Sequence, residues 1–418
     1  MAKGSVRKKG KKWYYRFYVE DESGNRVQKE YPGTESKSET EALLRKAMED
    51  YESRQFVTKA TNITLGDMLT QWIDEEVVPS SRSNGTVRAY SHIVDCIKEL
   101  PLGKRKLQTV KAEHLQKYFD SLTNVSSMRI YSYAAVLRGA FRFAVFPKQL
   151  ITFNPMQYVN IRAKQNDYAL FEEEDKKLTI ITPEQFKQIT EYLQTKKSPA
   201  LLPIKIAYYT GLRLGEVCAL TWQDIDLDEQ CLTVRRSMIY DGKRKASEIG
   251  PTKRSKIRTV DFGDTLTNIL KEAKAQQQND AKRYKELYRR NYYRQVKEDN
   301  RTYYDLYALD ETQSIPDDYM PVSFVCRRSD GEFIRPQLVS KTCNRLSREI
   351  EGLDGFHFHS LRHTFTSNLL AKGAAPKDVQ ELLGHSDVNL TMNVYAHATK
   401  ETKRSCVRLL DTLENDDK

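Results

Sequence analysis

The sequence predicts a multidomain protein that is mainly α-helical and carries small β elements. A length of 418 residues exceeds what one ordinary hydrophobic core supports, so two or three domains are expected. Strand-forming residues are concentrated near the start, and apolar residues recur at helical intervals through the segment that follows. After a charged, aperiodic stretch, strand-like and helical segments alternate, which indicates a third domain of mixed α/β type.

Residues 1–58 are predicted to form a three-stranded sheet and one helix. Residues 13–19 are dense in strand formers, and a turn leads from them into a second strand at residues 26–31. Residues 38–51 have helical composition, with acidic residues early, where a helix N-terminus favours them. The basic side chains of this segment could contact DNA, as those of β-sheet readers do, or form an ordinary solvated surface. These candidates are Lys8, Lys9, Lys11, Lys12 and Arg16.

Residues 62–160 are predicted to form a helical bundle. Apolar side chains return at intervals of three and four, as they do between Leu65 and Trp72. Arg88 and Arg138 are candidates for phosphate contacts, although such residues on a helix face often serve only solubility. Residues 162–177 are polar, charged and aperiodic, which is typical of an interdomain linker.

Residues 178–418 are predicted to form the mixed domain. Thr182 can cap a helix that begins at Pro183, and Gln185 completes a capping box. Helical composition dominates the end of the chain. Strand-like runs lie at residues 231–237 and 257–262.

A helical insertion is predicted near residues 266–307, which are rich in Lys, Arg, Gln and Tyr. Interleaved tyrosines and arginines can bind nucleic acid. The favoured alternative is an exposed helical hairpin whose tyrosines pack on each other.

Charge and composition narrow the partners. A formal net charge of +11 and a pI near 9.1 favour a polyanion, either nucleic acid or an anionic surface. No apolar run approaches the ~18 residues that cross a bilayer, and no signal core follows the basic start, so a cytoplasmic protein is expected. The six cysteines are scattered and lack zinc-binding spacing, which indicates reduced thiols.

Four polar segments of the third domain carry the candidate chemistry. Each is weak evidence by itself, because a lone arginine, an HxxR or a tyrosine near a C-terminus is common. Their joint occurrence in this order is improbable by chance. The segments are Thr210 to Glu216, Pro251 to Arg254, His359 to His363, and Leu383 to His385 followed by Tyr395.

This ordered set resembles the Arg, Lys, HxxR, His and Tyr signature of the tyrosine recombinases, the family of phage and conjugative-transposon integrases. The resemblance covers about residues 180–405. The N-terminal module resembles the family's arm-type DNA-binding domain, and the bundle resembles its core-type domain in position and length. The resemblance implies a site-specific DNA recombinase that cuts and rejoins DNA through a 3′-phosphotyrosine and integrates or excises a mobile element.

The resemblance also assigns roles to single residues. Arg213 and Arg362 would hold the scissile phosphate, because permanently charged guanidiniums match two phosphate oxygens. His359 and His385 would hydrogen-bond the phosphate and accept the tyrosine proton, with the two roles undivided. Tyr395, ten positions after His385, would be the nucleophile.

Lys253 is the candidate for the family's general acid, which lies in a β-hairpin turn. The match departs from the family's pattern, because relatives read Pro-Lys-Thr where this chain reads Pro251-Thr252-Lys253. Arg254 and Lys256 are therefore competing candidates. His363 is assigned to core packing because it points away from the face of Arg362, and His357 and His397 are assigned structural roles.

No cofactor and no metal are expected, because the sequence lacks a Walker motif and an acidic metal cluster near these residues. The implied partner is double-stranded DNA at attachment sites, bound by a homotetramer, because four strands must be cut and each chain has one Tyr395. An apolar stripe at residues 399–413 would dock on a neighbouring protomer or on its own domain.

The resemblance further implies an excisionase and a DNA-bending host protein, in the bacterial cytoplasm at the nucleoid. The alternatives are a chromosome-dimer resolvase, which usually lacks the arm module, and a catalytically inactive DNA-binding regulator.

Overall fold

The computed structural model describes residues 4–20, 26–54, 62–161, 179–252, 257–298 and 301–384. The chain divides into two compact units, residues 1–173 and residues 174–418. None of the described helices combines the length and the apolar character that a membrane crossing requires. The candidate nucleophile Tyr395, with His385, Lys253 and the tail at residues 399–413, lies outside the described residues.

The N-terminal module has the predicted three strands and one helix. Strands β1 (Ser5–Lys9), β2 (Lys12–Glu20) and β3 (Arg26–Pro32) form an antiparallel sheet in that order, and helix α1 (Lys37–Arg54) follows. Successive strand residues point to opposite faces. Alternate residues of β2 therefore meet α1 in an apolar cluster: Tyr15, Phe17, Val19, Leu44 and Ala47.

The second part of the first unit is the predicted helical bundle. Its first helix begins at a capping box in which Thr64 and Asp67 exchange hydrogen bonds. The apolar stripe of each helix faces a shared core that includes Trp72, Leu137 and Phe141. The helices are α2 (Leu65–Trp72), extended by a π-helical turn at Ile73–Val77, α3 (Asn84–Glu99), α4 (Ala112–Ser121) and α5 (Ser127–Val145).

The second unit is mixed, as predicted. Thr182 caps its first helix, with Pro183 at the first position and Gln185 completing the capping box. The helices are α6 (Pro183–Thr195), α7 (Leu201–Thr210), α8 (Leu214–Cys218), α9 (Asp264–Tyr284), α10 (Pro336–Glu349), α11 (Phe358–Ala371) and α12 (Pro376–Leu383).

Two antiparallel sheets complete this unit. The three-stranded sheet has the order β4 (Ile225–Asp226), β5 (Cys231–Val234), β8 (Arg258–Asp261). The five-stranded sheet has the order β11-β9-β10-β7-β6. Its strands are β6 (Arg236–Asp241), β7 (Ala246–Pro251), β9 (Arg290–Glu298), β10 (Arg301–Leu309) and β11 (Met320–Val322).

The strand predicted at residues 231–237 is wrong in extent. The chain leaves β5 at Arg235 and enters β6, which pairs with β7 in a different sheet. A hairpin therefore separates β5 from β8, although these strands pair with each other. Lys253 follows β7 in sequence and is outside the described residues.

The predicted helical insertion at residues 266–307 is half wrong. Helix α9 accounts for its first part, but β9 and β10 form a hairpin over the rest, and β10 pairs with β7. Each of these strands contains a pair of adjacent tyrosines, and aromatic residues favour strands over helices. Two tyrosines of this segment do pack on each other across the hairpin, because the ring centroids of Tyr293 and Tyr304 lie 6.3 Å apart.

Candidate active site and nucleic-acid interface

Arg213 lies in a tight connection between α7 and α8. Helix α7 ends at Gly211, whose φ of +64° is left-handed. A Cβ atom here would lie 2.6 Å from the Phe365 ring, so both the conformation and the space require glycine. Arg213 then occupies the N-cap position of α8, and its side chain is 32% exposed. The glycine therefore places this guanidinium at a fixed point near the surface.

Glu216 anchors two arginines. Its Oε1 accepts from Arg213 Nη1 at 2.9 Å, and its Oε2 accepts from the Arg213 backbone N–H at 3.0 Å. Arg258 donates from both terminal nitrogens to the same carboxylate. Burial alone would raise the pKa of Glu216, but the hydrogen bonds and charge of Arg258, with those of Arg213, lower it. Glu216 is therefore ionised at neutral pH.

Arg362 lies on α11 and is 2% exposed. Its Nη1 donates to the Gly211 carbonyl at 2.8 Å and its Nη2 to the Leu383 carbonyl at 2.7 Å. Its Nε is buried and has no hydrogen-bond partner among the residues that the structure describes. Burial lowers the pKa of this guanidinium, and repulsion from Arg213 acts in the same direction. A buried donor without a partner is costly, so an acceptor is expected at this position when the site is in use.

His359 and His363 lie one turn apart on α11, and their rings meet edge to face at 4.8 Å. The pKa of each imidazole lies below its ordinary value, chiefly because the surrounding protein withdraws it from water. Repulsion from His363 and Arg362 adds to the effect at His359. Both rings are thus neutral at pH 7, although the His359 side chain retains contact with solvent. A neutral imidazole donates one hydrogen bond and accepts another.

The assignment of His363 to core packing needs correction. Residues four apart share a helix face, so His363 lies beside His359 and is only half-buried. His357 caps α11 through Ser360, whose side chain accepts from the His357 backbone N–H.

The structure brings together Arg213, from the connection between α7 and α8, and the pair His359 and Arg362, from α11. Arg258 was not predicted from the sequence. Its only sequence signal is that it is a charged residue within strand β8, which pairs with the apolar strand β5. Glu216 was included within a motif but was given no role. Arg213 and Arg258 bind the Glu216 carboxylate, and the Arg362 guanidinium lies close enough to interact with its charge. Three positive charges thus stand against one negative charge, which suits the binding of an anion. No cluster of three or more metal-binding side chains occurs in the part of the chain that the structure describes.

One face of the N-terminal sheet is basic and aromatic. Lys12, Tyr14 and Arg16 alternate along β2 on the face opposite α1, and Lys9 pairs with Lys12 across the strands. The Lys9 ammonium lies over the Tyr14 ring at 5.2 Å. These side chains form a row that can follow a phosphate backbone.

Lys8 and Lys11 do not belong to this face. Lys8 pairs with Trp13 and so points to the side of α1, and Lys11 lies in the turn between β1 and β2. Alternation along the strands therefore places the predicted basic residues of the N-terminal sheet on two different faces.

In the bundle, Arg138 is exposed on α5 and Arg88 is half-buried on α3.

A second basic surface lies along α10. It lines a groove of about 1010 Å³ in which Glu332 is the only acid among the described lining residues. Glu332 accepts hydrogen bonds from three arginines at the base of the helix. The basic residues of this groove are Arg289, Arg328, Arg335, Lys341, Arg345 and Arg348.

The described fold and site fit one known class of protein. The model of the phage integrase family matches residues 179–402, more than half of the chain. The model of an arm DNA-binding domain matches residues 5–49, which include the sheet with the basic face. The chain belongs to the phage integrase family, and it is a tyrosine site-specific recombinase.

Relatives of two kinds resemble this chain in sequence. The tyrosine recombinase XerC-like protein of Caldanaerobacter subterraneus subsp. tengcongensis is 28% identical over 99% of this chain and 100% of its own length. The transposase from transposon Tn916 of Enterococcus faecalis is 25% identical over 80% of this chain and 74% of its own.

Among solved structures, the Tn1549 transposon integrase in complex with transposon right end DNA has a TM-score of 0.58 at 19% identity. The matched region covers 84% of this chain and 100% of the Tn1549 integrase chain. At this level of identity the likeness shows the fold.

Proposed function

We propose that this recombinase integrates and excises a mobile element, and that Tyr395 cuts DNA within the arginine site described above. The observation that supports this proposal most is the arrangement of Arg213 and Arg362 around the Gly211 turn, with a buried Arg362 Nε for which the described part of the chain offers no acceptor. A non-bridging phosphate oxygen is an acceptor of the required charge.

In the proposed reaction, the phenolic oxygen of Tyr395 attacks the scissile phosphorus. The bond from phosphorus to the 5′-oxygen breaks, and a 3′-phosphotyrosine forms. The phenol gives its proton to an imidazole, for which His359 and His385 are candidates, and the 5′-oxygen takes a proton from Lys253. Attack by the 5′-hydroxyl of another strand reverses these steps, so the phosphodiester bond is conserved.

Arg213 would contact the phosphate from the solvent side. It gives one terminal nitrogen and its backbone N–H to Glu216, which leaves the other guanidinium donors for an anion. The N–H of a neutral His359 can then donate a hydrogen bond to the same phosphate.

Two basic surfaces would bind the DNA. The face of the N-terminal sheet that carries Lys9, Lys12 and Arg16 would hold the arm site. The groove along α10 would hold the backbone of the core site, because Lys341, Arg345 and Arg348 line it. Arg138 is exposed on the bundle and would add a further phosphate contact.

The arm module favours integration over chromosome-dimer resolution. Resemblance to the XerC-like protein over the whole chain keeps resolution as the second candidate. The match to an arm DNA-binding domain and the likeness to the Tn916 transposase support the mobile element.

A homotetramer on DNA follows from the chemistry, since each chain supplies one Tyr395 and four strands are exchanged. An excisionase, a DNA-bending host protein and a bacterial nucleoid location stay predictions from the resemblance.

A suicide DNA substrate tests the proposal. A nick near the cleavage position releases a short fragment, so the 5′-hydroxyl is lost and the covalent complex accumulates. We expect a protein–DNA band that resists detergent, disappears with protease and forms equally in EDTA, because arginines stabilise the charge. A band that requires Mg²⁺, or no band on a site that the protein binds, would contradict the mechanism. The second outcome would favour an inactive regulator.

A further inference from the structure

We propose that Arg258 is a positioning residue that orients Arg213 toward the scissile phosphate and fixes the end of α12. This inference rests on the proposed function, because it concerns the same phosphate site. Arg258 lies on β8, which belongs to neither the Gly211 turn nor α11, so it joins a third element to the site.

The first contact of Arg258 is with Glu216. Its Nη1 donates to Oε1 at 3.2 Å and its Nη2 to Oε2 at 2.7 Å, which is a two-point fork. Glu216 is 2% exposed and the Arg258 side chain is 11% exposed. Such a pair excludes water, and its geometry is fixed by two parallel hydrogen bonds.

The two hydrogen bonds from Arg258 determine how many donors Glu216 needs from Arg213. A buried carboxylate needs a full complement of donors. Because Arg258 satisfies both oxygens, Glu216 requires only Nη1 and the backbone N–H of Arg213. Without the fork, the Arg213 guanidinium would turn inward to neutralise Glu216 and would leave the phosphate position.

The second contact of Arg258 is with α12. Its Nε donates to the Leu382 carbonyl at 3.0 Å, and Arg362 donates to the next carbonyl, Leu383, at 2.7 Å. The last carbonyls of a helix have no partner within the helix. Two arginines of the site therefore hold the end of α12, which lies two residues before the candidate His385 in sequence.

The backbone at this end is shaped to receive Arg258. Gly384 has a φ of +62°, and a Cβ atom there would lie 2.9 Å from Arg258 Cδ. A lysine at position 258 has one ammonium group on a flexible stem, so it cannot span Glu216 and the Leu382 carbonyl together. The three contacts need the planar guanidinium.

The test compares Arg258→Lys with a matched control, Arg244→Lys. Arg244 also forks onto a buried carboxylate, Asp305, at 3.0 and 2.6 Å, and its Nε donates to Glu298 at 2.8 Å. The readouts are the single-turnover rate and amplitude of adduct formation on a suicide substrate at saturating DNA, and the affinity for that DNA.

We expect Arg258→Lys to lower the rate about 10- to 100-fold, because a small displacement of a catalytic group costs rate. Amplitude and DNA affinity should stay within twofold of wild type, and Arg244→Lys should keep the wild-type rate. A reduced amplitude with a normal rate would mean that Arg258 acts only in folding and would overturn the proposal. If Arg258→Lys folds poorly, the rate measured on the molecules that remain active still tests the positioning role.

A double-mutant cycle with Glu216→Gln tests the route of action. If Arg258 works through Glu216, the double variant should be no more than about threefold slower than Glu216→Gln alone. Fully multiplicative effects would overturn the proposed route. If the wild-type protein forms no adduct, the proposed function fails, whereas a wild-type adduct with a normal Arg258→Lys rate refutes only the positioning role.

Discussion

The two arginines predicted from the motifs have different environments at the residue scale. Arg213 is partly exposed and gives one side-chain nitrogen to Glu216, whereas Arg362 is buried and spans the Gly211 and Leu383 carbonyls. We infer that Arg213 contacts the phosphate from the solvent side and that Arg362 also holds the site together.

This difference predicts distinct effects of the same substitution. Arg213→Lys should lower the cleavage rate on the order of 10²-fold, because a point charge cannot reproduce bidentate contact, and should change the thermal unfolding temperature less than Arg362→Lys does. Arg362→Lys should lower the rate as much and also destabilise the fold by about 1–3 kcal/mol, because a buried carbonyl loses its donor. Suicide-substrate kinetics and thermal unfolding measure both effects. Near-normal rates in both variants would refute the phosphate assignment.

The sequence predicted the residue types of the site better than their contacts. Arg213, His359 and Arg362 stand out because the motifs repeat a family order, and the structure places them around one turn. The role of Arg258 was not predictable, since its partners Glu216 and Leu382 are distant in sequence. Its position follows from the pairing of β5 with β8, a long-range contact that no local pattern encodes.

At the scale of elements, local patterns predicted the first module well. Alternation in β2 and the acidic start of α1 are local signals, and the sheet and helix formed as expected. The insertion after α9 was harder, because Lys, Arg and Gln favour helix while the interleaved tyrosines favour strand. Pairing of β10 with β7, a tertiary contact, decided between them.

The N-terminal module should be separable from cutting. Its apolar cluster, which includes Phe17 and Leu44, is distinct from that of the bundle. Deletion of residues 1–58 should therefore leave adduct formation on an isolated core site within about twofold of wild type. Complex assembly on a full attachment site should fall by tenfold or more, because the basic row is lost. Gel shifts on the two substrates measure this. Complete loss of core-site cutting would show that the module is needed for catalysis.

At the scale of the whole molecule, the chain joins a first unit that carries the arm module and the bundle to a second unit that carries the arginine site. This division matches the predicted linker at residues 162–177 in sequence position. The predicted roles of the three domains, the tetramer and the docking of residues 399–413 stay predictions. They concern DNA and neighbouring protomers, whose contacts are not encoded in local sequence patterns.

We propose that Tyr395 forms the covalent bond to DNA. The most direct measurement is adduct formation on a suicide substrate by wild-type protein, Tyr395→Phe and the control Tyr307→Phe, with peptide mass spectrometry of the adduct. We predict an adduct at Tyr395 for wild type and Tyr307→Phe. Tyr395→Phe should give none while binding the DNA with unchanged affinity, because only the hydroxyl is removed. A covalent adduct formed by Tyr395→Phe, or mapped to another tyrosine of the wild-type protein, would contradict the account.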